Sequence, residues 1–165
     1  MSEDIANPAY WRQRLKDAPD RNRHHALYLC SDEKWAAIEA KHRELLRRYI
    51  GDDDFVLDAG CGWGRLFGMM PETWYGGYIG VDMSPDMVER AEVKYPLEEF
   101  VVADLRSLPR AWEGIFDWAV LVSIRPMVKR HLGDEVWAEM ERELRRVAKS
   151  ILYLEYDEND EGVVE

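Results

Sequence analysis

Val56-Leu-Asp-Ala-Gly-Cys-Gly-Trp-Gly-Arg-Leu66 is the most informative segment of this chain for its fold class. A short apolar strand ends in an acid and runs into a loop with glycines at alternating positions, Gly60, Gly62 and Gly64. Glycine lets a backbone turn tightly and approach a ligand closely. We predict a helix after this loop, over Arg65–Met70, whose N-terminal N–H groups could hold a carboxylate or a phosphate.

Outward from the loop, strands and helices alternate along the chain. Further apolar strands are predicted over 78–82, 100–104, 116–123 and 151–156. Helices are predicted over 32–49, from Ser84-Pro85 to about Tyr95, and from Asp134 to about Lys149. This alternation is typical of an α/β fold, a Rossmann-like, doubly wound parallel sheet with helices on both faces. Such sheets bind ligands at the carboxyl ends of their strands.

Three of the predicted strands end in an aspartate: Asp58, Asp82 and Asp104. One such residue could simply turn the chain, but three in series favour a ligand site. Asp82 follows Gly64 by eighteen residues, and an acid at this place can accept hydrogen bonds from both hydroxyls of a ribose. The loop and Asp82 together predict a nucleoside-containing ligand across the first two strand ends.

Composition limits the remaining possibilities. The 165 residues predict a single domain, 1–165, and the seven Trp and eight Tyr argue against disorder. No apolar run is long enough for a membrane span, no secretory signal is recognised, and the two cysteines favour a reducing, cytoplasmic location. The net charge is −11, with −13 on residues 51–165, which makes a nucleic-acid partner unfavourable. No metal site is predicted.

Four segments together resemble the class I S-adenosylmethionine-dependent methyltransferases. Asp58–Gly64 resembles the first motif of that family, and Gly80–Ser84 resembles its ribose-binding segment. Ala103–Leu105 and Phe116–Val120 are similar to its third-strand and fourth-strand motifs. The resemblance covers about residues 35–156. It implies S-adenosyl-L-methionine as cofactor and methyl transfer to an O or N atom of an acceptor, a small molecule more than a protein.

The resemblance also implies a role for single residues. Gly60 and Gly62 would leave room for the methionine moiety, whose amino group would lie near Asp58. Asp82 would hold the ribose and Asp104 the adenine amino group. The full set of implied cofactor-binding residues is Asp58, Gly60, Cys61, Gly62, Gly64, Asp82, Met83, Asp104, Leu105 and Trp11. Cys61 is interpreted as a small loop residue, and Trp63 either fills the core or shields the sulfonium.

Residues 1–31 are predicted to form an N-terminal arm, partly helical, which in this family often closes over the cofactor as a lid. Trp11 would be either an aromatic residue of the lid or an anchor of the arm. The candidate catalytic residues are His24, His25, Ser123 and Arg125. A histidine near neutral pKa could act as a general base. Further candidates on the acceptor side are Tyr10, Arg14, Tyr28, Arg130, His131 and Tyr156.

The C-terminal part departs from the family, whose members usually add an antiparallel hairpin after the fifth strand. We therefore predict about five strands in the order 3-2-1-4-5, followed by an acidic tail, 157–165. The fifth strand would be an open edge, which predicts a homodimer or cover by the arm or the tail. Two alternatives remain: an S-adenosylmethionine-binding regulatory module without catalysis, and a protein methyltransferase. The glycine spacing argues against a nicotinamide-dependent oxidoreductase.

Overall fold

The computed structural model describes residues 4–17, 31–156 and 161–165. Its helices are α1 (Pro8–Asp17), α2 (Asp32–Tyr49), α3 (Pro85–Lys94), α4 (Ile124–His131) and α5 (Asp134–Val147). Its strands are β1 (Val56–Ala59), β2 (Tyr78–Asp82), β3 (Glu99–Val102), β4 (Phe116–Val122), β5 (Ala148–Leu154) and β6 (Val163–Val164). Short 3-10 turns cover Phe67–Met69 and Arg110–Trp112.

The strands form one sheet in the order β3-β2-β1-β4-β5-β6. β1 to β5 are parallel, and Leu57 of β1 pairs with Ile79 of β2 on one side and with Ala119 of β4 on the other. This confirms the predicted order of five parallel strands. To the predicted set of about five strands, β6 adds a sixth, antiparallel strand next to β5.

Helices cover both faces of this sheet, as predicted. On one face, Leu57 and Ile79 lie in the same buried cluster as Trp137 and Leu144 of α5. On the other face, Val56 and Val120 pack with Leu45 and Leu46 of α2, and Ala91 of α3 packs with Tyr78 and Phe100. Neighbouring residues of a strand point to opposite faces, so both layers together fix the sheet and the ends of its strands.

Helix α2 begins and ends at the predicted residues. The side chain of Ser31 accepts a hydrogen bond from the Lys34 N–H at 3.2 Å and so caps the helix. The predicted apolar face, including Trp35, Ile38 and His42, is buried. In the described ranges no helix is both long and apolar enough to cross a bilayer.

The segment after the glycine loop differs from the prediction. Arg65–Met70 forms turns and a single 3-10 turn, not an α-helix. The segment is short, it contains Gly68, and Met70 takes the extended conformation that a following proline, Pro71, favours. The loop therefore has no helix dipole behind it, and the predicted N-terminal anion site does not form.

Helix α4 was not predicted from the sequence, and the boundary between α5 and β5 differs from the predicted one. α4 follows β4 directly, and Ser123 at its start has a positive φ of 54°. α5 ends at Val147 and β5 begins at the next residue, so Lys149 lies in a strand instead of a helix. There its Nζ donates to the Asp117 carboxylate at 2.6 Å.

The edge of β5 is covered by the C-terminal residues of the chain. Leu152 and Tyr153 pair with Val164 and Val163, and Ile151 exchanges two backbone hydrogen bonds with Glu165. Of the alternatives predicted for this edge, cover by the tail is the one that residues 163–165 show, and this edge then gives no reason for a homodimer. Residues 157–160 of the predicted acidic tail lie outside the described residues.

The described part of the N-terminal arm is helix α1 and the turn before it. Ile5 is buried, and the Arg12 guanidinium pairs with the Asp86 carboxylate at 2.8 Å, which joins α1 to α3. The rest of the arm, residues 18–30 with His24 and His25, lies outside the described residues.

Candidate functional site

One cavity of about 590 Å³ lies at the carboxyl ends of the five parallel strands. This volume is in the range of small-molecule sites. Every parallel strand contributes residues at or just after its end. They are Asp58 from β1, Asp82 from β2, Ala103 and Asp104 after β3, Val122 and Ser123 at β4, and Glu155 and Tyr156 after β5. Helices α1 and α4 add the other walls, with Trp11, Arg14, Met127 and Arg130 among their residues.

The glycine loop leaves open space in this cavity but offers few hydrogen-bond donors to a ligand. All three glycines have positive φ, from 54° to 83°. The N–H groups of Gly60 and Cys61 both donate to the carbonyl of Val81, and that of Gly64 donates to the carbonyl of Cys61. The Gly62 N–H donates to Asp82. Because these four donors are used within the protein, they are not available to a ligand.

Gly62 and Gly64 serve different needs. Gly62 lines the cavity, and a Cβ built on it meets no atom within 4 Å, so a side chain there would project into open space. A Cβ on Gly64 would lie 2.9 Å from the ring of Tyr95. Gly64 is not among the lining residues, and its lack of a side chain lets the loop pack against Tyr95 after α3 and Phe100 of β3.

Asp82 holds the glycine loop in place. One carboxylate oxygen accepts from the Gly62 N–H at 3.0 Å and the other from the Ser84 N–H at 2.8 Å. Burial raises the pKa of Asp82 above its ordinary value, against the lowering effect of these bonds. A carboxylate has about four lone-pair sites, so Asp82 keeps capacity for donors from a ligand in the cavity.

Asp58 is a buried acid on the cavity floor. Its side chain is only 2% exposed and accepts a hydrogen bond from the Tyr78 hydroxyl at 2.6 Å. Burial raises the pKa of Asp58 to about 7, although Tyr78 and the charge of Arg65 act in the opposite direction. A cationic ligand group beside Asp58 would favour its ionised form.

Asp104 lies at the cavity together with Met83 and Leu105. Its carboxylate is held by Arg106, whose guanidinium donates to both oxygens, the shortest contact being 2.6 Å. This ion pair lowers the pKa of Asp104. Any adenine amino group would have to share the carboxylate with Arg106.

Trp11, Trp63 and Cys61 also lie at the cavity. Trp11 lines it and at the same time anchors the arm, because its ring N–H donates to the Ile5 carbonyl at 2.9 Å. Trp63 is buried and also contributes to the lining. Burial raises the pKa of the Cys61 thiol well above its ordinary value. The thiol therefore stays protonated. Because the thiolate is the reactive form of cysteine, the Cys61 thiol is a poor nucleophile here.

Two of the four candidate catalytic residues are described by the structure, and of these Ser123 lies at the cavity. Its hydroxyl donates to a Glu155 carboxylate oxygen and accepts from the Tyr156 N–H, both at 2.9 Å. Arg125 is not among the lining residues; it lies over the ring of Tyr153 and pairs with Glu165. His24 and His25 fall outside the described residues.

Two residues of the cavity were missed by sequence reasoning. Glu155 lies at the end of the fifth strand, as the three aspartates lie at the ends of theirs, so the same rule could have selected it. Arg65 comes directly after the glycine loop and is buried at the cavity, which no sequence pattern indicated. Among the described residues, no cluster of three or more His, Cys, Asp or Glu side chains could hold a metal ion.

Comparison with known proteins gives one family match. The family model described as a methyltransferase domain matches residues 56–150. A curated relative, trans-aconitate 2-methyltransferase of Escherichia coli O157:H7, is 38% identical over 82 residues, which are 49% of this chain and 31% of the relative. Its counterpart in Enterobacter sp. (strain 638) is 43% identical over 65 residues, 38% of this chain and 26% of the relative. The chain thus spans about a third of the length of the curated relatives it matches.

Solved structures share the fold. A TehB-like SAM-dependent methyltransferase from Corynebacterium glutamicum has a TM-score of 0.62 at 21% identity, over 89% of this chain and 73% of that one. The sugar N-methyltransferase KedS8 from Streptoalloteichus has a TM-score of 0.57 at 20% identity, over 72% of this chain and 47% of that one. At these identities the likeness extends to the fold alone.

Proposed function

The chain belongs to the methyltransferase-domain family, and from this we propose that it transfers a methyl group from S-adenosylmethionine to an O or N atom of a small molecule. The observation that carries the proposal is the cavity at the strand ends, where Gly62 leaves open space beside the acid Asp82. The acceptor named in its curated relatives, trans-aconitate, is a small carboxylic acid, which supports a small-molecule acceptor.

The residues around the cavity fit the cofactor in its three parts. The ionised form of Asp58 suits an ammonium group, Asp82 has acceptor capacity left for ribose hydroxyls, and Met83 and Leu105 offer apolar surface near Asp104. When bound, S-adenosylmethionine supplies a methyl group activated by a positively charged sulfur. The protein would align an acceptor with that group, and alignment alone can contribute most of such a catalytic effect.

The direct test is calorimetric titration with S-adenosylhomocysteine, followed by a methyl-transfer assay with labelled S-adenosylmethionine and small carboxylic acids, sugars and amines. We expect binding and incorporation of label into a small molecule. Binding without transfer to any small molecule, but with transfer to protein, would support the protein methyltransferase instead. Binding with no transfer at all would support the regulatory module.

The affinity for S-adenosylhomocysteine should rise with pH up to about pH 7 and then level off. The pKa of Asp58 is about 7 in the free protein, so below this pH the acid must lose a proton before it can pair with the ammonium group. Binding then releases up to one proton, and affinity changes by at most about tenfold per pH unit. Titrations from pH 5.5 to 8.5 measure the effect.

The matched control for this pH dependence is Asp58→Asn, which keeps an oxygen for the Tyr78 hydroxyl and removes the titration. The variant should bind more weakly at high pH and have a flatter profile. Equal slopes for the variant and the unmodified protein would show that Asp58 does not face the ammonium group.

Removing residues 1–30 should leave the α/β core folded but weaken cofactor binding or abolish turnover. The arm contributes Trp11, Tyr10 and Arg14 to the cavity walls, so its loss opens the site to water. Circular dichroism checks the fold, and titration with S-adenosylhomocysteine checks binding. Arg12→Ala is the control, because its ion pair with Asp86 is exposed and such pairs contribute about 0–1 kcal/mol. A shortened chain that binds and turns over normally would contradict the lid.

A further inference from the structure

Arg65 is a buried cation at the cavity. It follows the glycine loop, lines the cavity and is only 9% exposed. Its guanidinium lies between two aromatic rings, 4.9 Å from the ring centre of Trp35 in α2 and 5.1 Å from that of Tyr156 after β5. Two cation–π contacts hold the group in one orientation.

A hydrogen-bond chain fixes this orientation further. Arg65 donates to Nδ1 of His42 at 3.4 Å, which requires an unprotonated Nδ1. Nε2 of His42 then carries the hydrogen and donates to the Glu155 carbonyl at 2.7 Å. His42 is fully buried. The guanidinium is therefore tied to α2 and to the end of β5 by neutral groups.

None of these contacts balances the charge of Arg65. Among the described residues, no carboxylate lies within ion-pair distance of its guanidinium; Asp58 affects it only through space. A buried charge without a counter-ion is costly unless a ligand supplies one. Arginine has five N–H donors, of which Met69, His42 and Tyr156 can take three. Donors remain for an anion in the cavity.

We propose that Arg65 binds a carboxylate group of the methyl acceptor. This inference rests on the proposed function above. The guanidinium fork matches a carboxylate with two parallel hydrogen bonds. A doubly charged phosphate fits less well, because Asp58, Asp82 and Glu155 line the same cavity.

The position of Arg65 favours the acceptor over the cofactor as the source of this carboxylate. The acids assigned to ribose and adenine, Asp82 and Asp104, follow β2 and β3 on one side of β1. Arg65 stacks on Tyr156, which follows β5 on the opposite side of β1. The end of the cavity that holds Arg65 is thus the one that the nucleoside leaves open.

The test is calorimetric titration of the protein saturated with S-adenosylhomocysteine. The probes are trans-aconitate, succinate and benzoate. Each is compared with the neutral compound in which all of its carboxyl groups are methyl esters. The unmodified protein should bind at least one acid and none of the esters. Arg65→Gln should weaken binding of that acid by about 10- to 100-fold, the range for a charge-assisted hydrogen bond. Affinity for S-adenosylhomocysteine should not change.

Two variants keep the test interpretable. Arg65→Lys retains the charge but not the fork and should bind the acid with intermediate affinity; it also serves if Arg65→Gln does not fold. Arg145→Gln removes an arginine paired with Glu141 and Glu165 away from the cavity and should change nothing.

Three results would overturn the inference. If the Arg65 variants lose affinity for S-adenosylhomocysteine and keep that for the acid, the cofactor's own carboxylate is the partner. If the unmodified protein binds S-adenosylhomocysteine but no acid, the inference is wrong and the proposed function stands. If it does not bind S-adenosylhomocysteine, the proposed function fails, and the inference fails with it.

Discussion

Gly62→Val should weaken the binding of S-adenosylhomocysteine by about 100-fold or more. Forcing extra carbon atoms into space that the bound ligand fills commonly costs about 1–3 kcal/mol, and the contacts that the ligand loses add to this. The side chain would project from the loop into the open space of the cavity. A φ of 54° at this residue adds backbone strain for a branched side chain. Calorimetric titration measures the loss.

Gly114→Val is the matched control for this strain. Gly114 has a φ of 65°, its Cβ would also meet nothing within 4 Å, and it is not among the lining residues. Both variants should lose a similar amount of thermal stability, whereas only the change at Gly62 should affect binding. Equal affinities of the two variants for S-adenosylhomocysteine would place the cofactor elsewhere.

Asp82→Ala should weaken S-adenosylhomocysteine binding by about 1.5–3 kcal/mol, the contribution of a charge-assisted hydrogen bond to the ribose. The structure adds a second reason, because the carboxylate also holds the N–H groups of Gly62 and Ser84. Without it, the glycine loop loses its support from β2. The dissociation constant should therefore rise by about 10- to 100-fold.

Asp117→Ala provides the control for Asp82→Ala. Asp117 also accepts a backbone N–H, that of Phe55 at 2.9 Å, but it lies at the beginning of β4, away from the cavity. Its loss should lower stability and leave cofactor affinity unchanged. Unchanged affinity in Asp82→Ala as well would falsify the ribose assignment.

The parts of the fold that the sequence predicts well are those set by local patterns. The glycine loop, the acids at strand ends and the start of α2 at Ser31 depend on neighbouring residues, and all lie where expected. The helix predicted over Arg65–Met70 was wrong because Gly68 and Pro71 act against it locally. α4 was missed because Pro126 lies in its first turn, where a proline is tolerated.

The parts that the sequence could not predict depend on distant residues. Arg65 has a place at the cavity only because α2 brings Trp35 and His42 to it and the end of β5 brings Tyr156. Lys149 lies in a strand because its neighbours Ala148 and Ser150 pair with Phe116 and Trp118 of β4. The two residues of β6 form a strand because they pair with β5. None of these partners is near in sequence, so no local pattern could identify them.

The pairing of the last residues with β5 also bears on solubility. Exposed strand edges with apolar side chains are sites of intermolecular aggregation. Here the edge next to Ile151 and Leu152 is occupied by a strand of two residues, followed by Glu165, whose carboxylate is paired with Arg125 and Arg145. A chain cut after Tyr156 would keep the strand ends that line the cavity but would expose the apolar edge of β5. We therefore expect residues 161–165, which do not line the cavity, to protect the protein from aggregation.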